Sequence, residues 1–108
     1  NIDPKKIESL ITKKTKVILC VNWAGLPCDL EILQSICKKH NIKLIQDAAH
    51  SFGAKYNNNH VCHYADYTCY SFQAIKHITT GDGGALICKS EDDFERAKKL
   101  INIIDNNI

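Results

Sequence analysis

The sequence predicts an α/β fold built on a mostly parallel sheet, and three observations point there. Two short apolar runs, "KVILCV" (16–21) and "KLIQDA" (43–48), have the composition of strands inside an open sheet. Between them, "LEILQSICKKHN" carries apolar residues at helical spacing. Strands that alternate with a helix in this way favour parallel neighbours, because the helix returns the chain to the edge of the sheet from which it left.

Each element follows in order. "DPKKIESLITKK" opens with Asp3 as an N-cap and Pro4 at the first helical position, and Ile7, Leu10 and Ile11 recur at helical spacing. "KVILCV" reads as a strand buried on both faces, and Gly25 and Pro27 in "NWAGLPCD" break it. Asp29 then caps a helix whose Leu30, Ile32, Leu33, Ile36 and Cys37 make one apolar stripe. After the strand at 43–48, "GAKYNNNHVC" reads as a hairpin turning on its asparagines. "ADYTCYSF" (65–72) alternates as a strand does, and "GGALICKS" is a strand after a Gly-rich turn. Ser90 caps a last helix, "EDDFERAKKLINII". The segment between the last two strands carries Lys76 and is long enough to permit antiparallel pairing. No repeat, linker or low-complexity stretch divides the chain, so residues 1–108 read as one domain.

Composition narrows the function classes. The charged fraction of 24% is interspersed and nets only +2, so there is no basic block to favour nucleic acid or an anionic membrane. No apolar run reaches the length of a membrane span, and "NIDPKKIESL" lacks a signal-peptide core. A cytoplasmic location is the expectation. The 6 cysteines are scattered without a C-x-x-C pair and read as reduced thiols. "HVCH" (His60, Cys62, His63) is the one compact ligand cluster and lacks a second pair at finger-like spacing, so no metal site is expected.

The chemically capable residues fall at predicted strand ends. Asn22 and Trp23 follow the first strand, and Asp47 closes the second with His50 three residues on. Ser71 closes the third, and Lys76 follows in its loop. Ligands of open α/β sheets bind beyond the carboxyl ends of the strands, which is where these side chains gather. Taken singly, an Asp at a strand end is commonly a turn residue and a lone His a satisfied partly buried one. Together, an acid, a histidine, a hydroxyl and a lysine suit a cofactor that carries an aldehyde, a ring nitrogen and a phosphate. The amine condenses with the aldehyde, the carboxylate holds a proton on the ring nitrogen, and hydroxyl and backbone N–H groups grip the phosphate. "GDGG" precedes an apolar strand rather than a helix, so it is not a dinucleotide fingerprint, and no G-K-[ST] makes it a P-loop.

These stretches also resemble a known family. "VNWAGLPCDLEILQSICKKHNIKLIQDAAH", "IQDAAHSFGAKYNNNHV" and "CYSFQAIKHITTGDGGALI" are similar to the DegT/DnrJ/EryC1/StrS family of pyridoxal-phosphate-dependent sugar aminotransferases. The shared order is acid-Ala-Ala-His, then Ser-Phe-x-x-x-Lys, then a G-D-G-G turn. The resemblance implies the three-layer large domain of the aspartate aminotransferase-like (fold type I) transferases, incomplete here because family members are longer. It implies pyridoxal 5′-phosphate as cofactor, with Lys76 as the lysine that holds it and Asp47 as the acid at the pyridine nitrogen. His50 matches the His/Gln beside the ring, and Ser71 a hydroxyl on the phosphate. Some relatives that dehydrate sugars carry His at the position of Lys76, so the lysine favours transamination. The family's usual His or Asp after the first strand is Asn22 here, and its role is open. The implied reaction moves an amino group, with glutamate as donor, to a keto group of a nucleotide-linked sugar in glycan biosynthesis. A homodimer of the full-length parent is implied as well. The alternative is an inactive remnant that binds the cofactor weakly or not at all. A small metal- or thiol-based regulatory protein is a third reading.

Overall fold

The computed structural model describes residues 1–105, with side chains through residue 101. Four strands form one sheet in the order β1 (Val17–Val21), β2 (Lys43–Asp47), β5 (Tyr67–Ser71), β6 (Gly84–Cys88). β1, β2 and β5 run parallel, with Val21 beside Asp47 and Asp47 beside Cys69. β6 is antiparallel to β5, with Ser71 opposite Gly84. The mostly parallel sheet is therefore as expected, and the antiparallel return after the lysine loop is the pairing that its length permits. A two-stranded hairpin, β3 (Lys55–Tyr56) and β4 (Asn59–His60), turns on Asn57 and Asn58. Both have positive φ, 46° and 65°, which suits the mirror-image turn that matches strand twist and which asparagine tolerates better than most residues.

Helix α1 (Pro4–Ile7) starts as predicted, with the Asp3 carboxylate accepting from the Lys5 N–H. It passes into a 3₁₀ turn at Glu8–Leu10, and Leu10 faces solvent rather than continuing the buried stripe. Glu8 accepts from Lys39 at 2.6 Å and pairs with the His40 ring at 2.9 Å, tying this turn to the end of the next helix. That helix, α2 (Leu30–His40), packs Leu30, Leu33, Ile36 and Cys37 against Ile18, Cys20 and Leu44. Two expectations are corrected here. Ile32 lies outside the stripe and is exposed, because it points away from the sheet. Asp29 occupies the N-cap position without a side-chain cap bond.

A third correction concerns β1. Ile18 and Cys20 are buried under α2, but Val17, Leu19 and Val21 on the opposite face are exposed, Leu19 to 59%. An apolar run alone does not distinguish one covered face from two. Helix α3 (Glu91–Asp105) occupies that opposite side further along the sheet, where Phe94, Ala97 and Ile101 meet Leu86 and Cys88. The layers are thus helix, sheet, helix, with the β1 side of the second face bare among the described residues.

The N-terminus of α3 is fastened as the sequence predicts. Ser90 Oγ accepts from the Asp93 N–H at 3.2 Å and donates to Asp93 Oδ2 at 2.9 Å. Asp93 Oδ1 accepts from the Tyr67 hydroxyl at 2.6 Å, and Lys43 Nζ bridges Asp93 Oδ2 and Asp66 Oδ1 at 3.4 and 3.1 Å. The Tyr67 hydroxyl, then Ser90, then the Lys43 charge hold the Asp93 carboxyl below the usual carboxylate range. A carboxyl lowered in the folded state stabilises the fold above its unfolded pKa, and that contribution fades as pH falls through the folded pKa. Docking of α3 is expected to loosen on the acid side, and Asp93→Asn to flatten that acid limb in pH-dependent unfolding. Ser90→Ala is expected to cost about 1 kcal/mol in denaturant unfolding, the usual worth of an N-cap hydroxyl.

Candidate active site

Because β1, β2 and β5 are parallel, their carboxyl ends meet at one sheet edge. The ladder continues past them: Asn22 N–H donates to Asp47 O at 3.0 Å, and Ala48 N–H to Cys69 O at 2.8 Å. Asp47 and His50 stand at this edge at the end of β2 and in the turn beyond it, and Ser71 at the end of β5. The lysine loop leaves and rejoins the sheet there. Phe72 N–H donates to Gly83 O at 2.8 Å, Thr80 N–H donates to Phe72 O at 3.0 Å, and β6 then starts at Gly84. A Cβ on Gly84 would lie 2.7 Å from the Tyr70 carbonyl oxygen, so only glycine lets the loop close this tightly on β5. Asp47, His50 and Ser71 are thus at one edge, with Lys76 in the loop that follows Ser71.

Their local chemistry differs. Asp47 is half-buried, on the same sheet face as Val21 and Cys69, and its Oδ1 accepts from the Ala49 N–H at 2.9 Å. No other hydrogen bond to this carboxylate occurs among the described residues, so its second oxygen is available. Lys76 is half-buried, held by a backbone bond from its N–H to Gln73 O at 2.9 Å. Its amine has no carboxylate within salt-bridge distance among the described residues. The His50 imidazole sits edge-on to the Trp23 indole, with ring centroids 5.6 Å apart. Ser71 Oγ makes only a long contact, accepting from Gln73 N–H at 3.4 Å. An acid with a spare oxygen, an unpaired amine, an imidazole and a lightly engaged hydroxyl fit the ring nitrogen, aldehyde and phosphate of pyridoxal phosphate.

The sequence left Asn22 without a role and did not single out the residues it is bonded to. Asn22 is fully buried beneath the edge, donating to Gln46 Oε1 at 2.8 Å and Ser51 Oγ at 3.1 Å and accepting from Cys28 N–H at 3.0 Å. Gln46 in turn donates to Val61 O at 3.0 Å and Thr68 Oγ1 at 3.2 Å. A polar side chain at an inward position of an apolar strand was the available signal, since a buried amide requires partners. Phe52 packs edge-on against Tyr70 and Phe72, joining the His50 turn to the base of the lysine loop. Burial and the neighbouring Cys62 push the Tyr70 hydroxyl up to about 12.

All 6 cysteines are free. Burial pushes the Cys20 thiol up to about 12 and the Cys37 thiol up to about 11, with Cys28 beside Cys20 and Asp66 near Cys37 adding to the shift. Cys69 is exposed beside Asp47. Burial, then the Asp47 charge, raises its thiol as well. Thiol titration of the folded protein is expected to label Cys69 first and to reach Cys20, Cys28 and Cys37 only on unfolding, as read by peptide mass. Among the described residues no group of three or more His, Cys, Asp or Glu side chains could hold a metal ion, and no helix is long and apolar enough to cross a membrane.

This arrangement of sheet and loop is shared with part of the fold of solved sugar aminotransferases. Against the Helicobacter pylori aminotransferase PseC, involved in pseudoaminic acid biosynthesis, the TM-score is 0.88 at 39% identity, covering 91% of this chain and 26% of that one. A putative sugar aminotransferase of Streptococcus pneumoniae in its PLP form gives 0.80 at 33% identity, over 90% of this chain and 29% of that one. The chain belongs to the DegT/DnrJ/EryC1/StrS aminotransferase family, whose sequence model matches residues 1–104. It is 40% identical over 98 residues to the dTDP-4-amino-4,6-dideoxy-D-glucose transaminase of Shigella dysenteriae, covering 91% of this chain and 27% of that enzyme. The chain therefore spans about a quarter of the length of the relatives it matches.

Proposed function

We propose that this chain carries the cofactor-holding centre of a pyridoxal-phosphate-dependent aminotransferase acting on a keto group of a nucleotide-linked sugar. The observation that carries the reading is the meeting of Asp47, His50, Ser71 and the Lys76 loop at one carboxyl edge of the sheet. When bound, pyridoxal phosphate supplies an electrophilic aldehyde and a ring that accepts electron density from the carbon bearing the amine. Lys76 would hold the cofactor through its amine, and the same amine, when free, would act as general base and acid on the proton of the carbon that bears the amino group. Asp47 keeps a proton on the ring nitrogen through its free oxygen. His50, packed edge-on to Trp23, would stand beside the ring, and Ser71 would donate to the phosphate. Glutamate as amino donor and a homodimeric parent are expectations of the family resemblance, and the names of the Helicobacter and Shigella relatives support a sugar substrate.

The test is direct. The intact protein is incubated with pyridoxal phosphate, glutamate and UDP- or dTDP-linked 4-keto sugars, and the products are read by mass spectrometry. An amino sugar formed with glutamate consumed is the expected result, and its absence with every keto sugar rejects the reading. A second reading, a catalytically inactive module, draws on the exposed Val17, Leu19 and Val21 face. Apolar surface of that kind needs covering before a site beside it is sealed from water. Turnover with any of the keto sugars rejects this second reading.

A further inference from the structure

Asn22 is a fully buried side chain that touches the surroundings of two candidate site residues at once. It bonds to Gln46, the residue before Asp47, and to Ser51, the residue after His50. Its carbonyl oxygen accepts from Cys28 N–H, which closes the loop that carries Trp23. That loop is shaped to fit the His50 turn. Gly25 has a φ of 84°, and a Cβ there would come 2.9 Å from the His50 carbonyl oxygen, so the loop lies flush against that backbone. The turn itself is closed by Ser51 N–H donating to Ala48 O at 2.9 Å. One amide thus joins β1, the residue before the acid, the turn bearing the imidazole and the loop bearing its aromatic neighbour.

We propose that Asn22 is a positioning residue, whose three hydrogen bonds hold the Asp47 and His50 segments in the spacing at which both side chains meet the cofactor. It does not touch the reacting atoms and acts through its neighbours. The inference rests on the cofactor reading above. A buried amide placed for packing alone needs its partners satisfied but has no reason to select the residues flanking the acid and the histidine. Fixing such orientation from behind is the role outer-layer hydrogen bonds play at other sites, where their loss costs about tenfold or more in affinity or activity.

The experiment compares the wild type with Asn22→Ala, Ser51→Ala and Leu33→Ala in the intact protein. Leu33→Ala is the control, since it opens a cavity in the α2 core without touching the network. Two quantities are read besides melting temperature: the affinity for pyridoxal phosphate from its visible absorption, and the cofactor-free NMR contact between labelled Trp23 and His50 rings. The expected result is that Asn22→Ala weakens cofactor binding about tenfold and loses the ring contact. Ser51→Ala moves both the same way by less, and Leu33→Ala lowers the melting temperature while leaving both unchanged. If Asn22→Ala does not fold, Ser51→Ala alone decides, because it removes the limb to the His50 turn, together with the 3.4 Å bond from its hydroxyl to Ala48 O, and leaves the Gln46 and Cys28 limbs in place. Retention of ring contact and affinity in Ser51→Ala and Asn22→Ala overturns the proposal, as does equal loss of both in Leu33→Ala. Absence of cofactor binding by the wild type overturns the cofactor reading instead. The ring contact, measured without cofactor, then still decides whether Asn22 holds the His50 turn.

Discussion

Replacing Lys76 with alanine is expected to abolish both the visible absorption band of bound cofactor and all amino transfer. No other lysine stands in this loop, and the Lys76 amine has no carboxylate neighbour to compete for it among the described residues. The variant loses one group with two tasks, since the same amine holds the cofactor and then carries the proton. Folding is expected to be unaffected, because the side chain is half-buried and makes no described ion pair. Circular dichroism and melting temperature should match the wild type while turnover falls to background. Residual turnover with a normal band would show that another amine does the work.

Asp47→Asn is expected to separate binding from chemistry. The amide keeps the shape of the side chain and its Oδ1 acceptor for the Ala49 N–H, which is observed at 2.9 Å. It carries no negative charge, so a proton on the ring nitrogen is no longer held and the ring takes up electrons poorly. Turnover is expected to fall on the order of 10²–10³-fold, the usual scale for removing one preorganised electrostatic partner of the reacting group. Cofactor binding should weaken far less, because the covalent link to Lys76 and the phosphate contacts remain. Turnover within a few-fold of wild type would reduce Asp47 to a strand-end residue that closes an Asx turn.

Much of the fold was legible because its signals are local. Asp3 and Ser90 cap their helices, the paired Asn57 and Asn58 make the hairpin turn, and the β2 run lies inside the sheet. What failed was non-local. Whether β1 is covered on one face or two depends on what packs there, and the apolar run of Val17, Leu19 and Val21 reads the same either way. Ile32 misled for a similar reason, since an apolar residue at the border of a stripe fits either side. Asp29 has the composition of a cap, and only geometry shows that its side chain makes no cap bond.

For the site, residue types and strand ends sufficed to collect Asp47, His50, Ser71 and the Lys76 loop at one edge, because a parallel sheet puts all its carboxyl ends together. The buried network was less accessible. Asn22 was noticed and left without a role, while Gln46, Ser51 and Thr68 drew no attention, since their partners lie 22 or more residues apart along the pairs Asn22–Gln46, Asn22–Ser51 and Gln46–Thr68. The contact of Phe52 with Tyr70 and Phe72 is hidden from sequence in the same way.

The central claim is that Lys76 holds the cofactor, and reductive trapping tests it most directly. The intact protein is loaded with pyridoxal phosphate, treated with borohydride, digested and mapped by mass spectrometry. A phosphopyridoxyl group on Lys76, stoichiometric and absent without reductant, is the predicted result. Label spread over exposed lysines such as Lys55 and Lys89, with Lys76 unmodified, would contradict it.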